Sequence, residues 1–417
     1  MKNKLFSPFI LLCGTGMFAI FSSTMSKNPV LPLFTKALGA SNSVIGLVAA
    51  ASTIVGIVAS IPAGVLSDFY GRRRVLLFSA FVFASAPFFY FLVNAPWQLV
   101  IVRVYHGIAT AVFCPVAMAT VADLFKERRA ENMGWYSSST LVGRSLAPVV
   151  GGVIISVFSY KYKLVYLGCG IAGIIAFILA FLIPIKQEVK SSAKFSDKLK
   201  EMGKGLKEIG KSRGIMVTSI IEAVQFLSSG ALETFLPLYC TLVANMNPAS
   251  VGILFTIQLI GTTVTKPVMG RLSDKYGRKQ MISLGLIFGA IALGMIPFFR
   301  NFWTLIPAAI LFGISLATVT ASTAAYVSDL AKAGSYGSAL GVMSTIMDVG
   351  QSAGPIIASQ LLTYGPTIFR NLLPEGEVYH YMAMFTIIAG LLLLAGVAFP
   401  TLAGKPKNLD DTTFSVS

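Results

Sequence analysis

Charge is scarce in this chain, and so are the residues that build metal centres. Only 12% of its 417 residues are charged, against roughly 25% in an ordinary soluble domain. There are two histidines and four cysteines. His106 and His380 lie far apart, and Cys13, Cys114, Cys169 and Cys240 each sit inside an apolar run. That spacing supports neither a metal cluster nor a disulfide framework. Acid is scarcer than base: 17 Asp+Glu against 33 Lys+Arg, a formal net charge of +16. These shortages argue against a soluble enzyme, a disordered chain and a secreted disulfide scaffold. What the chain has in excess is apolar surface, with 55% hydrophobic residues and a mean hydropathy of +0.76.

A bilayer core about 30 Å thick is crossed by a helix of about 20 apolar residues. Twelve segments meet that demand, near 7–34, 43–66, 75–94, 97–123, 134–158, 164–184, 214–241, 249–270, 281–299, 302–328, 336–362 and 380–400. The expected fold is therefore an all-α polytopic membrane protein with twelve transmembrane helices. The first segment follows a basic start and mimics a secretion signal. It shows no small-residue cleavage site, and eleven more segments follow, so it is expected to remain as the first span.

The basic excess then has a place. With the N-terminus in the cytoplasm, 24 Lys and Arg fall in cytoplasmic loops and tails and 5 on the other side, while four lie within spans. The positive-inside rule predicts a multi-pass protein of the cell membrane with both termini cytoplasmic. No basic domain is left over to bind nucleic acid. Gly205–Ser212 reads G-x-x-x-x-G-K-S, formally a phosphate-binding loop. That chemistry needs a strand, a helix and a nucleotide domain around it. A short basic segment leading into the seventh span offers none of these. It is expected to form an amphipathic helix beside anionic lipid, and no cofactor is expected.

The chain repeats itself. Gly64, Asp68, Gly71 and Arg72 after the second span match Gly270, Asp274, Gly277 and Arg278 after the eighth, at an offset of 206. Asp123 and Asp329, at the ends of the fourth and tenth spans, match at the same offset. Gly143 and Pro148 match Gly350 and Pro355 at 207. Two pseudo-symmetric six-helix bundles follow, 1–185 and 214–417, joined by a basic cytoplasmic linker at 186–213.

The two G-x-L-x-D-x-x-G-R-[RK] loops resemble the signature of the major facilitator superfamily, and the resemblance covers nearly the whole chain. It implies a secondary transporter whose bundles rock about a site near the bilayer midplane. It also implies a gating role for the loop residues named above, with Asp68 and Asp274 latching the inner gate and Asp123 and Asp329 part of the same machinery. The fifth span reads Gly143-x-x-x-Ala147-Pro148-x-x-Gly151-Gly152. It is similar to the packing element of drug:proton antiporters in that superfamily, with Ala147 replacing a glycine. Gly350, Gly354 and Pro355 form a weaker copy in the eleventh span. Arg103-x-x-His106-Gly107 resembles a family element in which the arginine serves proton coupling and glutamine stands where this chain has His106. Generic small-residue packing and a packing role for His106 remain the alternative readings.

Ionisable residues within spans are costly, roughly 2.5–3.5 kcal/mol at a helix centre, and face a cavity or a partner. Arg144 and Asp348 lie at similar depth in the repeat-related fifth and eleventh spans, which makes both candidates for the midplane and Asp348 a candidate cation or proton acceptor. Glu222 and Glu233 are 11 residues apart in the seventh span, about 20° apart on the helix face. With Gln225 and Ser229 they predict a polar stripe lining the cavity. The offset of 205 places Lys27 opposite Leu232, beside Glu233. In this fold the first and seventh helices meet on the outer side, so a Lys27–Glu233 bridge across the outer gate is expected.

The leading reading is an exporter of small, amphipathic organic compounds, driven by the proton gradient and working as a monomer. A proton-coupled uptake symporter is the alternative, and a membrane receptor or scaffold that transports nothing is a remote one. Either H⁺ or Na⁺ suits the acids. No catalytic set points to an enzyme.

Overall fold

The computed structural model describes residues 7–125, 127–184, 203, 210–331, 336–368 and 376–403, without the side chains of 60–62, 64, 65, 68, 130 and 366–368. Most of the linker at 186–213 lies outside the described residues, and with it most of the phosphate-loop lookalike.

The described residues are helical and contain no strand. The first half comprises α1 (Pro8–Met25), α2 (Val30–Ala37), α3 (Asn42–Tyr70), α4 (Arg72–Phe89), α5 (Pro96–Leu124), α6 (Arg129–Val157) and α7 (Tyr162–Leu182). The second comprises α8 (Arg213–Leu238), α9 (Pro248–Tyr276), α10 (Arg278–Met295), α11 (Phe302–Leu330), α12 (Tyr336–Ile368) and α13 (Glu377–Leu402). Taking α1 and α2 as one span, eleven among the described residues are long and apolar enough to cross a membrane. The twelfth, α12, is 33 residues long, about 50 Å at 1.5 Å per residue. It is less apolar because it carries Asp348, Gln351, Gln360 and several serines.

The first span, expected as one helix, is two. Pro29 has no N–H to give the ladder and restricts the residue before it, so the helix stops at Met25 and restarts at Val30. Lys27 sits in that break. Several helices outrun their apolar segments: α3 continues to Tyr70 and α9 to Tyr276, carrying the signature loop at their ends.

The repeat is visible in the helix bounds. α3 and α9, α4 and α10, and α5 and α11 start and stop 206 residues apart. The starts are chemically alike: Ser41 and Asn247 cap α3 and α9 with side-chain oxygens. Gly71 and Gly277 precede α4 and α10 at φ +85° and +98°, a geometry glycine adopts without a Cβ clash.

Each half packs mostly on itself. α1 lies on α6 and α7, α3 on α5, and α4 on α5 and α7; α8 lies on α12, α9 on α11, and α10 on α11 and α13. The halves meet along α3·α12 and α6·α9. Call the end bearing Arg72 and Arg278 the basic end, and the other the far end. The first half's core is in two pieces. Its far-end piece, with Val30, Ile45 and Tyr166, is continuous with the core of the second half. Its basic-end piece, with Leu12, Phe83 and Phe113, holds first-half residues alone.

Close backbone approach seals the far end. A Cβ on Gly252 would strike the Pro148 carbonyl oxygen, and one on Gly152 would meet the Pro248 carbonyl oxygen. Ser156 donates a hydrogen bond to Asn247 across the same seam, and Thr256 Oγ1 donates to the Ser145 carbonyl at 2.7 Å. At the basic end, among the described residues, nothing lies within 4 Å of the would-be Cβ atoms of Gly134, Gly270 and Gly341. The Lys27–Glu233, Ser156–Asn247, Ala249–Ser156 and Thr256–Ser145 hydrogen bonds join the halves, and all lie beyond the middle toward the far end.

Candidate functional site

A cavity of about 620 Å³ lies between the halves, inside the 300–1,000 Å³ range of small-molecule sites. Its charges are segregated. Lys27, Arg103 and Arg144, with His106, come from the first half; Glu233 and Asp348 come from the second. The second half also supplies the large apolar side chains of the lining, including Phe226, Phe255, Leu316 and Met347.

Lys27 Nζ donates to Glu233 Oε2 at 2.7 Å, bridging the halves. Gln351 Nε2 donates to the same oxygen at 3.3 Å. Both charged side chains are about three-quarters shielded from solvent, at 26% and 23% exposure. Arg144 lies within electrostatic range of Glu233, and Lys27 within range of Asp348. Neither Arg144 nor Asp348 has an ion pair or side-chain hydrogen bond among the described residues. Sequence reasoning missed Gln351. Its signal was the repeat: the 207 offset that aligns Gly143 with Gly350 also aligns Arg144 with Gln351.

Arg103 and His106 form a second cluster in the wall made by α5. Both are buried, and Arg103 Nη2 donates to Ser52 Oγ on α3. The His106 ring stands edge-on to Phe83, with centroids 5.8 Å apart, and to Tyr90, at 6.2 Å. Tyr90 in turn stacks on Tyr166 at 3.9 Å. Neither ring nitrogen of His106 has a hydrogen-bond partner among the described residues. Gly107 packs against the Ser52 backbone, which brings α5 and α3 close at this level.

The expected stripe on α8 is divided. Ser229 and Glu233 line the cavity; Glu222 and Gln225 do not. They are buried inside the second half, where Ser315 Oγ of α11 donates to Gln225 Oε1 at 3.4 Å, and Thr323 of α11 lies beside Glu222. The residues do share a helix face, but α8 follows the cavity only from Phe226 onward, and α11 covers it nearer the basic end.

At the basic end Arg72 Nε donates to Asp123 Oδ2 at 3.0 Å, and Arg278 Nε to Asp329 Oδ2 at 3.1 Å. These repeat-related pairs tie α4 to α5 and α10 to α11. Asp274 pairs with Arg278 of its own half. Of Gly64 and Asp68 only the helical backbone is described, so the latch expected of Asp68 lies outside the described residues. Among the described residues nothing lies within 4 Å of the would-be Cβ of Gly270.

The packing element sits where helices touch. A Cβ on Gly143 would strike the Met17 carbonyl oxygen of α1. The repeat-related Gly350 and Gly354 stand in the same way against the Ala223 and Leu227 carbonyl oxygens of α8. Gly151 packs on Met25 and Val30, and Pro355 on Gly230. Pro148, Gly152 and Pro355 also face the seam between halves.

The model of the Major Facilitator Superfamily matches residues 12–247 and 218–413. An MFS-type transporter of Methanocaldococcus jannaschii is 25% identical over 388 residues, 93% of this chain and 95% of that protein. Quinolone resistance protein NorA of Staphylococcus aureus is 24% identical over 391 residues, 93% of this chain and 94% of that one. Multidrug resistance protein 2 of Bacillus subtilis is 24% identical over 410 residues, 97% of each. Among solved structures, a variant of the nucleoside transporter NupG superposes with a TM-score of 0.78 at 13% identity, covering 95% of this chain and all of that one. A bacterial homologue of the human lysosomal transporter Spinster, inward-facing and unoccupied, superposes with a TM-score of 0.78 at 15% identity, covering 97% and 100%.

Proposed function

Since the chain belongs to the major facilitator superfamily and is a multi-pass membrane transporter, we propose that it exports small amphipathic organic compounds in exchange for protons, by alternating access. One observation carries this reading: a cavity of drug-sized volume whose opposing walls hold Arg144 and Asp348, neither paired within the described protein. The names of two relatives, a quinolone resistance protein and a multidrug resistance protein, support export. So does the packing element around Gly143 and Pro148. With the basic loops in the cytoplasm, the cavity opens inward, ready to load a cytoplasmic compound, while the Lys27–Glu233 pair and the Gly152 and Gly252 contacts hold the outer side shut.

In this scheme Asp348 carries the proton. A carboxyl held in a partly apolar wall accepts a proton when no cation stands beside it and releases it when one does. Arg103 and His106 shape the wall facing it. Each chain encloses a complete cavity, so the monomer is the working unit, and the proton gradient is the energy source with no cofactor.

Inverted vesicles with an imposed pH gradient test the proposal. An acid interior drives uptake of a substrate against its gradient if the protein is an antiporter. Accumulation confined to right-side-out vesicles assigns it instead to uptake symport.

A further inference from the structure

We infer that the preferred substrate is a zwitterion, with a carboxylate on Arg144, a protonated amine on Asp348 and an apolar body against Phe226 and Phe255. This rests on the transporter reading above and deepens it by naming the chemical class.

All three strong bases in the cavity wall come from the first half and both acids from the second. Glu233 is already engaged, by Lys27 at 2.7 Å and Gln351 at 3.3 Å. Arg103 is buried and bonded to Ser52. Two opposite charges remain in the cavity wall, one from each half: Arg144 on α6 and Asp348 on α12. The groups around them are Lys27 in the α1–α2 break, Glu233 on α8, and Arg103 and His106 on α5. None forms an ion pair with Arg144 or Asp348 among the described residues.

Arg144 is exposed to the cavity and Asp348 is half-buried in its wall, so both charges are open to a ligand, and a ligand of opposite charge at each end satisfies both. The guanidinium is a planar fork suited to a carboxylate, which it grips through two parallel hydrogen bonds. A lone anion would leave Asp348 unmatched, and a lone cation would leave Arg144 unmatched. The aromatic and long aliphatic side chains of the lining lie on the same half as Asp348, so the apolar body belongs next to the amine-binding side. The arrangement also supplies the exchange. The substrate amine and a proton compete for Asp348, so loading from the cytoplasm expels the proton and protonation from outside expels the substrate. No bond is made or broken beyond this proton transfer.

The probes are a quinolone bearing one carboxylate and one basic amine, its ethyl ester and its N-acetyl amide. Binding to the purified full chain is read by fluorescence and transport in proteoliposomes with an imposed pH gradient. The zwitterion is expected to bind about tenfold or more tightly than either blocked form, the scale of one charge-assisted hydrogen-bonded contact. Arg144→Gln is expected to erase the preference for acid over ester while keeping that for amine over amide. Asp348→Asn is expected to do the reverse. Arg144→Lys, which keeps charge and loses the fork, is a second variant should the glutamine protein fail to fold, and it is expected to weaken the acid preference.

Equal binding of acid and ester by the parent protein, or an acid preference unchanged in both Arg144 variants, overturns the inference, as does no binding of any probe. Gradient-driven transport without discrimination among the three leaves the exporter reading standing and removes the zwitterion. Discrimination in binding without gradient-driven transport does the opposite.

Discussion

Lys27, in the break between α1 and α2, and Glu233, in α8, meet at 2.7 Å across the seam between the two halves. Exposed ion pairs are worth about 0–1 kcal/mol. This pair is mostly shielded, and removing one partner strands the other in a poorly solvated seam, where the penalty is larger. Lys27→Ala and Glu233→Ala are each expected to lower the initial transport rate at least tenfold. The exchanged pair, Lys27→Glu with Glu233→Lys, should recover a third or more of it. Rates are normalised to protein in the membrane. Additive losses in the double variant, with no rescue, would show that the two residues act independently.

The far end closes by backbone contact as well as by charge. Gly252 stands so close to the Pro148 carbonyl that any Cβ must displace α6 from α9. Gly252→Leu is expected to hold that end open and abolish gradient-driven transport while the protein stays monodisperse. Ser156→Cys reports on it directly, because Ser156 lies in the seam beside Asn247. Its labelling by an impermeant thiol reagent should rise severalfold in the Gly252→Leu background. Unchanged labelling with full transport would show that the contact does not control closure.

Much of this was legible beforehand, for identifiable reasons. Span length follows from bilayer thickness, and the two halves follow from an offset that the helix bounds of α3, α4 and α5 repeat residue for residue in α9, α10 and α11. The Lys27–Glu233 contact was reachable because symmetry puts the first and seventh spans opposite each other. What periodicity does not carry is which part of a helix face meets the cavity. Glu222 and Glu233 share a face of α8, yet α11 covers one and leaves the other open. Gln351 was hidden for another reason: an uncharged side chain in a span raises no alarm, and only its carboxylate partner gives it a role.

The basic-end pairs differ in shelter although they are related by the repeat. Arg72 and Asp123 are 19% and 32% exposed, against 24% and 52% for Arg278 and Asp329. Solvent screens the second pair more, so its share of stability is smaller. Asp123→Asn is expected to lower the Tm in detergent by a few degrees, and Asp329→Asn by less. Raising salt to 1 M should shrink the effect at Asp329 more than at Asp123. A larger loss at Asp329 would mean that exposure does not rank these pairs.

Arg103 and His106 are three residues apart on α5 and predict opposite outcomes. Arg103 donates to Ser52 and carries a fixed charge into the wall of the cavity, so Arg103→Gln should cut transport at least tenfold with the fold retained. His106 contributes a ring wedged edge-on against Phe83 and Tyr90, contacts worth about 0.5–1.5 kcal/mol each beyond their buried area. Neither of its nitrogens has a partner among the described residues. Shape, then, is what the site asks of it. His106→Phe is expected to keep at least half of the transport rate, with an unchanged dependence of rate on pH. His106→Ala, which leaves a cavity in the packing, should lower the Tm by several degrees, as large-to-small changes at buried sites cost about 2 kcal/mol or more. Loss of transport in His106→Phe, with its Tm intact, would overturn the packing role and make His106 a member of the proton path.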